Sequence, residues 1–213
     1  MGYFPFFMDI EGKKGIIVGG GAVAARKAEK LRDFGPRLVA VAPEFCGAFR
    51  KIARTYPVSL VERSFEPEDL EGAAFVVAAT DDGAVNGRIS DWCRRRGVPV
   101  NVVDDREKCT FFFPALVKEG ALTVGISTDG KCPAASAFLR EQVERCLPEG
   151  IGAVIDLLGQ LRPEVAEGID RQTDRAQAME KLFLYSLRRG GEVTLQELRD
   201  LLHGMRQEGR RDG

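Results

Sequence analysis

Three groups of residues in this chain have the types and spacing to do chemistry. The first is Gly19, Gly21 and Ala24, set as G-x-G-x-x-A between the apolar run Gly15-Ile16-Ile17-Val18 and a helical run beginning at Ala22-Val23. A glycine triplet between a strand and a helix is the dinucleotide fingerprint in the setting it needs. Gly19 permits a tight turn, Gly21 lets a pyrophosphate approach the backbone, and Ala24 lets the helix pack on the strand. The free N–H groups at the helix start, with its dipole, favour anionic phosphates. A plain structural turn is the competing interpretation.

The second group is acidic and hydroxylic. Glu44 lies twenty positions past Ala24, where an acid can hold the adenosine ribose, although Pro43 separates it from the strand body. With no arginine at that turn, NAD is favoured over NADP; a solvated turn carboxylate is the alternative. Thr80-Asp81-Asp82 ends an apolar run, so its backbone should border the same groove. A helix-capping role for Asp81 or Asp82 competes on equal terms. Asp104 and Asp105 follow Asn101-Val102-Val103. An acid at that strand end can act as a general base, or can merely cap a turn.

The third group is cationic. Arg106, Lys108, Lys131 and Arg140 could form a rim for a polycarboxylate, or be ordinary surface charge. Ser127-Thr128-Asp129-Gly130-Lys131-Cys132-Pro133 is a polar turn before a helix, able to cradle an anion or only to connect. The one histidine, His203, falls on an amphipathic C-terminal helix and reads as a surface residue.

The elements that must position these residues alternate. Strands are expected at residues 14–18, 37–42, 58–62, 73–80 and 98–103, with helices at 22–34, 46–54 and 85–96 and a helical turn at 66–70. Uninterrupted apolar strands separated by helices predict a doubly wound parallel sheet with ligands beyond the C-terminal strand ends. From residue 112 to 127 two strands joined at Lys118-Glu119-Gly120 read as a hairpin. Helices are expected at 133–147, 151–168, 174–189 and 194–208, the last opened by a capping box at Thr194 and Glu197. The tail from Arg206 to Gly213 should fray.

Composition sets the outer limits. Over 213 residues, 44% are apolar and 30% charged, with a net charge of −1, so no global field draws the chain to nucleic acid or membrane. No apolar run approaches the ~20 residues that span a bilayer. The apolar start Met1–Met8 has no basic leader and does not read as a signal peptide. Five cysteines, odd in number and without a CxxC pair, argue for reduced thiols in a cytoplasmic protein and against a metal site.

Several of these segments occur together elsewhere. Phe4-Pro5-Phe6-Phe7, the run Val18 to Lys27, Ala78-Ala79-Thr80-Asp81-Asp82 with Asn86, Asn101-Val102-Val103-Asp104, Phe112-Phe113-Pro114-Ala115 and Val124 to Gly130 come in that order. Together they closely resemble the precorrin-2 dehydrogenase family, which comprises the N-terminal module of siroheme synthases and its stand-alone relatives. The likeness covers residues 1–165 and weakens after Arg171.

The resemblance implies a Rossmann-type domain over residues 1–113, a dimerisation hairpin-helix region over 114–150 and a small helical C-terminal domain over 151–213. It implies NAD-dependent oxidation of precorrin-2 to sirohydrochlorin by a homodimer. Some members also insert ferrous iron, taken as a substrate. By motif position, Ala22, Val23, Pro43 and Glu44 fall on the family's NAD contacts, and Asp104 on its catalytic aspartate. Thr128 stands where some members carry a phosphorylatable serine, and Cys132 replaces a serine seen in some relatives. No methyltransferase module follows, so precorrin-2 is expected to arrive ready-made. A non-catalytic NAD-sensing module is the alternative from another class.

Overall fold

The structure, a computed structural model, describes residues 4–209. The start of the apolar N-terminal stretch (Met1–Tyr3) and the end of the basic tail lie outside the described residues. The chain divides into two compact units, Phe6–Phe113 and the part from Pro114 onward.

In the first unit, β1 (Lys14–Val18), β2 (Arg37–Ala42), β3 (Val58–Glu62), β4 (Phe75–Ala78) and β5 (Val100–Val102) form one sheet in the order β3-β2-β1-β4-β5. Every pairing is parallel, with Ile17 opposite Ala40 on one side and Val77 on the other. Such a sheet must bury both faces. On one side α1 (Ala22–Arg32) and α2 (Gly47–Thr55) lay Ala24, Ala28, Phe49 and Ile52 against Ile17 and Phe75. On the other, α3 (Gly83–Arg96) and the 3₁₀ turn Pro67–Leu70 lay Ile89, Cys93 and Leu70 against Ile16, Val76 and Val100. The expected doubly wound architecture is the one observed.

Local chemistry sets the ends. Asp82 caps α3, its Oδ1 accepting from the N–H groups of Ala84 (2.8 Å) and Val85 (3.2 Å), and Gly97 closes that helix at φ +68°. The fourth strand is shorter than the apolar run 73–80, because Thr80 turns away to bond Asn86. The hairpin also starts later than expected, at Ala115. Phe111 and Phe113 are spent on the first unit's core, and Pro114 has no N–H for a ladder.

In the second unit, β6 (Ala115–Glu119) and β7 (Leu122–Ile126) pair antiparallel around Gly120 at φ +53°. They are followed by α4 (Pro133–Cys146), which contains no buried residue. Three longer helices, α5 (Ile151–Gly168), α6 (Gln172–Arg188) and α7 (Leu195–Gly209), close on a core of Val154, Leu158, Leu161, Leu182, Leu198 and Leu202. The capping box at the start of α7 is formed: the Thr194 N–H donates to Glu197 Oε2 (2.7 Å) and the Glu197 N–H to Thr194 Oγ1 (3.2 Å).

Candidate functional site

The glycine turn leaves the C-terminal end of β1 and enters α1. Gly19 holds φ +128°, and a Cβ there would stand 2.2 Å from the Ala79 carbonyl oxygen. At Gly20 a Cβ would meet the Glu44 carbonyl oxygen at 1.9 Å. This middle glycine was not part of the fingerprint, yet it is the one pressed against the turn after β2, where its carbonyl accepts the Cys46 N–H at 2.9 Å. Around Gly21 nothing lies within 4 Å of where a Cβ would be. Gly21 also heads α1, and no side chain caps that end. The first N–H groups of the helix therefore face open space.

That space is a cavity of about 740 Å³ at the C-terminal ends of β1, β2 and β4. Six of the eight expected cofactor residues line it: Gly19, Gly21, Pro43, Glu44, Thr80 and Asp81. The other two, Ala22 and Val23, form the first turn of α1 directly after Gly21 and do not line the cavity wall; their backbone N–H groups are the contribution open to them. An anion cradle, a carboxylate at the end of β2 and a volume in the range of small-molecule sites fit a dinucleotide. Thr80 is fixed by Asn86: its hydroxyl donates to Asn86 Oδ1 (2.7 Å), and Asn86 Nδ2 donates back to the Thr80 carbonyl (2.9 Å). Both acids that follow line the cavity, and Asp82 is also the cap of α3.

Sequence reasoning missed Ser64 and Phe65 after β3, and Val85 and Arg88 on α3, all of which line the same cavity. Ser64 and Phe65 follow the end of β3, so the rule that places ligands beyond strand ends could have found them. Arg88 is set by helix phase and depended on where α3 docks.

The turn after β5 separates two neighbouring acids. Asp105 is committed: it caps the 3₁₀ turn Arg106–Lys108 through the Lys108 N–H (3.3 Å) and pairs with Lys108 Nζ at 2.6 Å. The hydrogen bond from Lys108 holds its carboxyl below the usual carboxylate range. Asp104 takes left-handed backbone at φ +59° and is exposed. Aspartate is among the few residues that tolerate this conformation, and such positions concentrate at functional sites. Asp104 does not line the cavity described above; it follows β5, the strand next to β4.

Of the expected cationic rim, Lys108 has much of its charge offset by Asp105, and Arg106 lies with its guanidinium 5.8 Å from the Phe112 ring. Thr128 and Lys131 belong to the second unit. The Thr128 hydroxyl is engaged locally, donating to the Cys132 carbonyl (2.9 Å) and standing 2.8 Å from Ser136 Oγ, so it secures the start of α4. Lys131 is exposed in that turn. Among the described residues, no three His, Cys, Asp or Glu side chains gather to hold a metal ion. No helix among them is long and apolar enough to cross a membrane.

The chain is similar to several known proteins. A family model described as "Putative NAD(P)-binding" matches residues 6–115. The siroheme synthase of Photorhabdus laumondii is 35% identical over 183 residues, which are 86% of this chain and 39% of that protein. That of Blochmanniella pennsylvanica is 36% identical over 197 residues, 92% of this chain and 40% of that protein. The chain thus spans about two fifths of the length of these relatives. Among solved structures, "SirC, precorrin-2 dehydrogenase" superposes with a TM-score of 0.72 at 21% identity, over 96% of this chain and 100% of that one, a likeness of fold.

Proposed function

The chain belongs to the NAD(P)-binding family matched over residues 6–115, and from that premise we propose that it oxidises precorrin-2 to sirohydrochlorin with NAD as hydride acceptor. One observation carries the reading: the glycine-turn cavity sits in a chain that is 35% identical to siroheme synthase over 183 residues. Gly19, Gly20 and Gly21 would lay the start of α1 against the pyrophosphate, and Glu44 would hold the ribose. Glu44 supports NAD over NADP, because a second phosphate there would meet a carboxylate.

When bound, the nicotinamide supplies the acceptor for a hydride and its electron pair. The proton released from the macrocycle needs a base, and we assign it to Asp104. Asp105 is already held by Lys108, whereas Asp104 has no hydrogen bond or ion pair among the described residues. Arg106, Lys108, Thr128 and Lys131 are offered as carboxylate contacts; the Lys108 ammonium and the Thr128 hydroxyl would exchange their local partners, Asp105 and the Cys132 carbonyl, for the substrate.

We also propose a homodimer. Phe138 and Leu139 on α4 are 59% and 45% exposed, on a helix with no buried residue of its own. Five free cysteines, two of them exposed, support a reducing, cytoplasmic setting.

Anaerobic incubation of the purified protein with precorrin-2 and NAD⁺ tests the reading. NADH and sirohydrochlorin should appear together. Asp104→Asn should cut turnover by roughly 100-fold or more while leaving NAD⁺ affinity unchanged. Binding of NAD⁺ without turnover would turn the reading toward a sensing module.

A further inference from the structure

Lys27 lies on α1, two turns past the glycine turn, and nothing assigned so far uses it. Its side chain is half-buried, with Nζ 4.0 Å from the centre of the Phe113 ring. No carboxylate among the described residues forms an ion pair with it. Two more cations, Arg26 and Lys30, stand beside it on the same helix and repel it. Across from it are the Cys109 thiol and, as the weakest influence, the Asp104 carboxylate. A half-buried ammonium set over an aromatic face, with cationic neighbours and no carboxylate among the described residues close enough to pair with it, is a charge awaiting a counter-ion.

We propose that Lys27 binds a carboxylate of the substrate beside Asp104, so that α1 holds phosphate at its start and a substrate acid two turns later. The proposal rests on the functional reading above, which makes the substrate a polycarboxylate. Burial, followed by repulsion from Lys30, lowers the Lys27 pKa from the ordinary lysine value. A bound carboxylate would relieve that repulsion and replace the lost hydration, so binding should draw the ammonium back toward its ordinary value. Lysine suits this role because its compact charge sits on a stem whose methylenes can pack along Phe113.

The test compares wild type with Lys27→Met and Lys27→Arg in titrations with sirohydrochlorin, without NAD⁺. Lys27→Met should weaken tetrapyrrole binding by roughly tenfold or more, the loss of one charge-assisted contact. It should raise KM for precorrin-2, leave kcat and the NAD⁺ affinity near wild type, and flatten the salt dependence of tetrapyrrole binding. Lys27→Arg should restore most of the affinity. A second measurement needs no variant: in wild-type protein carrying ¹³C-dimethylated lysines, the Lys27 resonance should titrate at higher pH once sirohydrochlorin is added. Equal affinity of wild type and Lys27→Met, or an unmoved Lys27 titration in the tetrapyrrole complex, overturns the assignment while the dehydrogenase reading stands. Failure of the wild type to bind any tetrapyrrole overturns both.

Discussion

The two units of this chain differ in what their packing leaves open to solvent. In Phe6–Phe113 the sheet is covered on both faces, although Phe6 and Phe7 ahead of β1 are exposed, and a cavity lies at the strand ends, lined by the glycine turn, by apolar side chains such as Phe65 and Val85, and by Glu44, Thr80 and Asp81. From Pro114 onward, α5–α7 enclose a core, but α4 buries no residue and leaves Phe138 and Leu139 exposed. The first arrangement suits a small ligand, because its cavity is concave and is headed by the uncapped start of α1. The second presents Phe138 and Leu139 to solvent, which is the basis of the dimer proposal.

The largest effect that could break this contrast is at Gly20. Gly20→Ala drives a methyl group into the Glu44 carbonyl, a backbone group that cannot swing aside as a flexible side chain would. It should cost about 3 kcal/mol of stability, read as a lower urea midpoint. Its neighbour gives the sharper half of the comparison. Gly21 has ordinary backbone at φ −78° and free space around it, so Gly21→Ala should leave the urea midpoint near wild type. It should still weaken NAD⁺ binding by roughly tenfold or more, because the methyl group occupies the phosphate approach. A Gly21→Ala protein that binds NAD⁺ like wild type would mean that the open space is not the phosphate site.

The corresponding break in the second unit is Phe138→Asp. At 59% exposure, Phe138 contributes little to the fold of its own chain, so the thermal midpoint at low concentration should hold. Self-association in sedimentation should weaken by roughly tenfold or more as a charge enters an apolar contact. Unchanged sedimentation of the variant, or a monomeric wild type at micromolar concentration, would remove α4 from the interface.

Much of this was legible in the chain because local rules and the fold agree. β2 and β3 run over the residues their apolar pattern marks, and Gly97 ends α3 as its type requires. The capping box at Thr194 closes as written. What could not be read is what depends on distant segments meeting. Gly20 is constrained by Glu44, which is remote in sequence but held against it by the β1–β2 pairing. Asp81 and Asp82 were equal candidates until the direction of α3 made one of them the cap. Asp104 was favoured over Asp105 only by its place in the family motif; that Asp105 is held by Lys108 in the 3₁₀ turn could not be read from the sequence. Lys27 gave no signal at all, since a lysine on a helix is ordinary until an aromatic ring and two cations surround it.

The smallest effect comes from a residue on the far face of the sheet from α1. Cys93 is wholly buried between α3 and β5, and burial pushes its thiol up to about 11. In the unfolded chain the thiol ionises near its ordinary value, so the folded state keeps a proton that the unfolded state gives up. The stability this confers is complete below pH ~9 and is lost as pH rises toward about 11. Comparing the slopes of urea midpoint against pH over that window isolates the thiol from the other groups that titrate there. Cys93→Ala should start less stable, from the small void it leaves, but should fall less steeply with pH. The buried thiol should also resist alkylation in the native protein, whereas the exposed Cys132 and Cys146 react. Equal slopes would mean that this face of the sheet opens to solvent more readily than its packing indicates. It would then resemble α4, which buries no residue, more than the closed sheet to which it belongs.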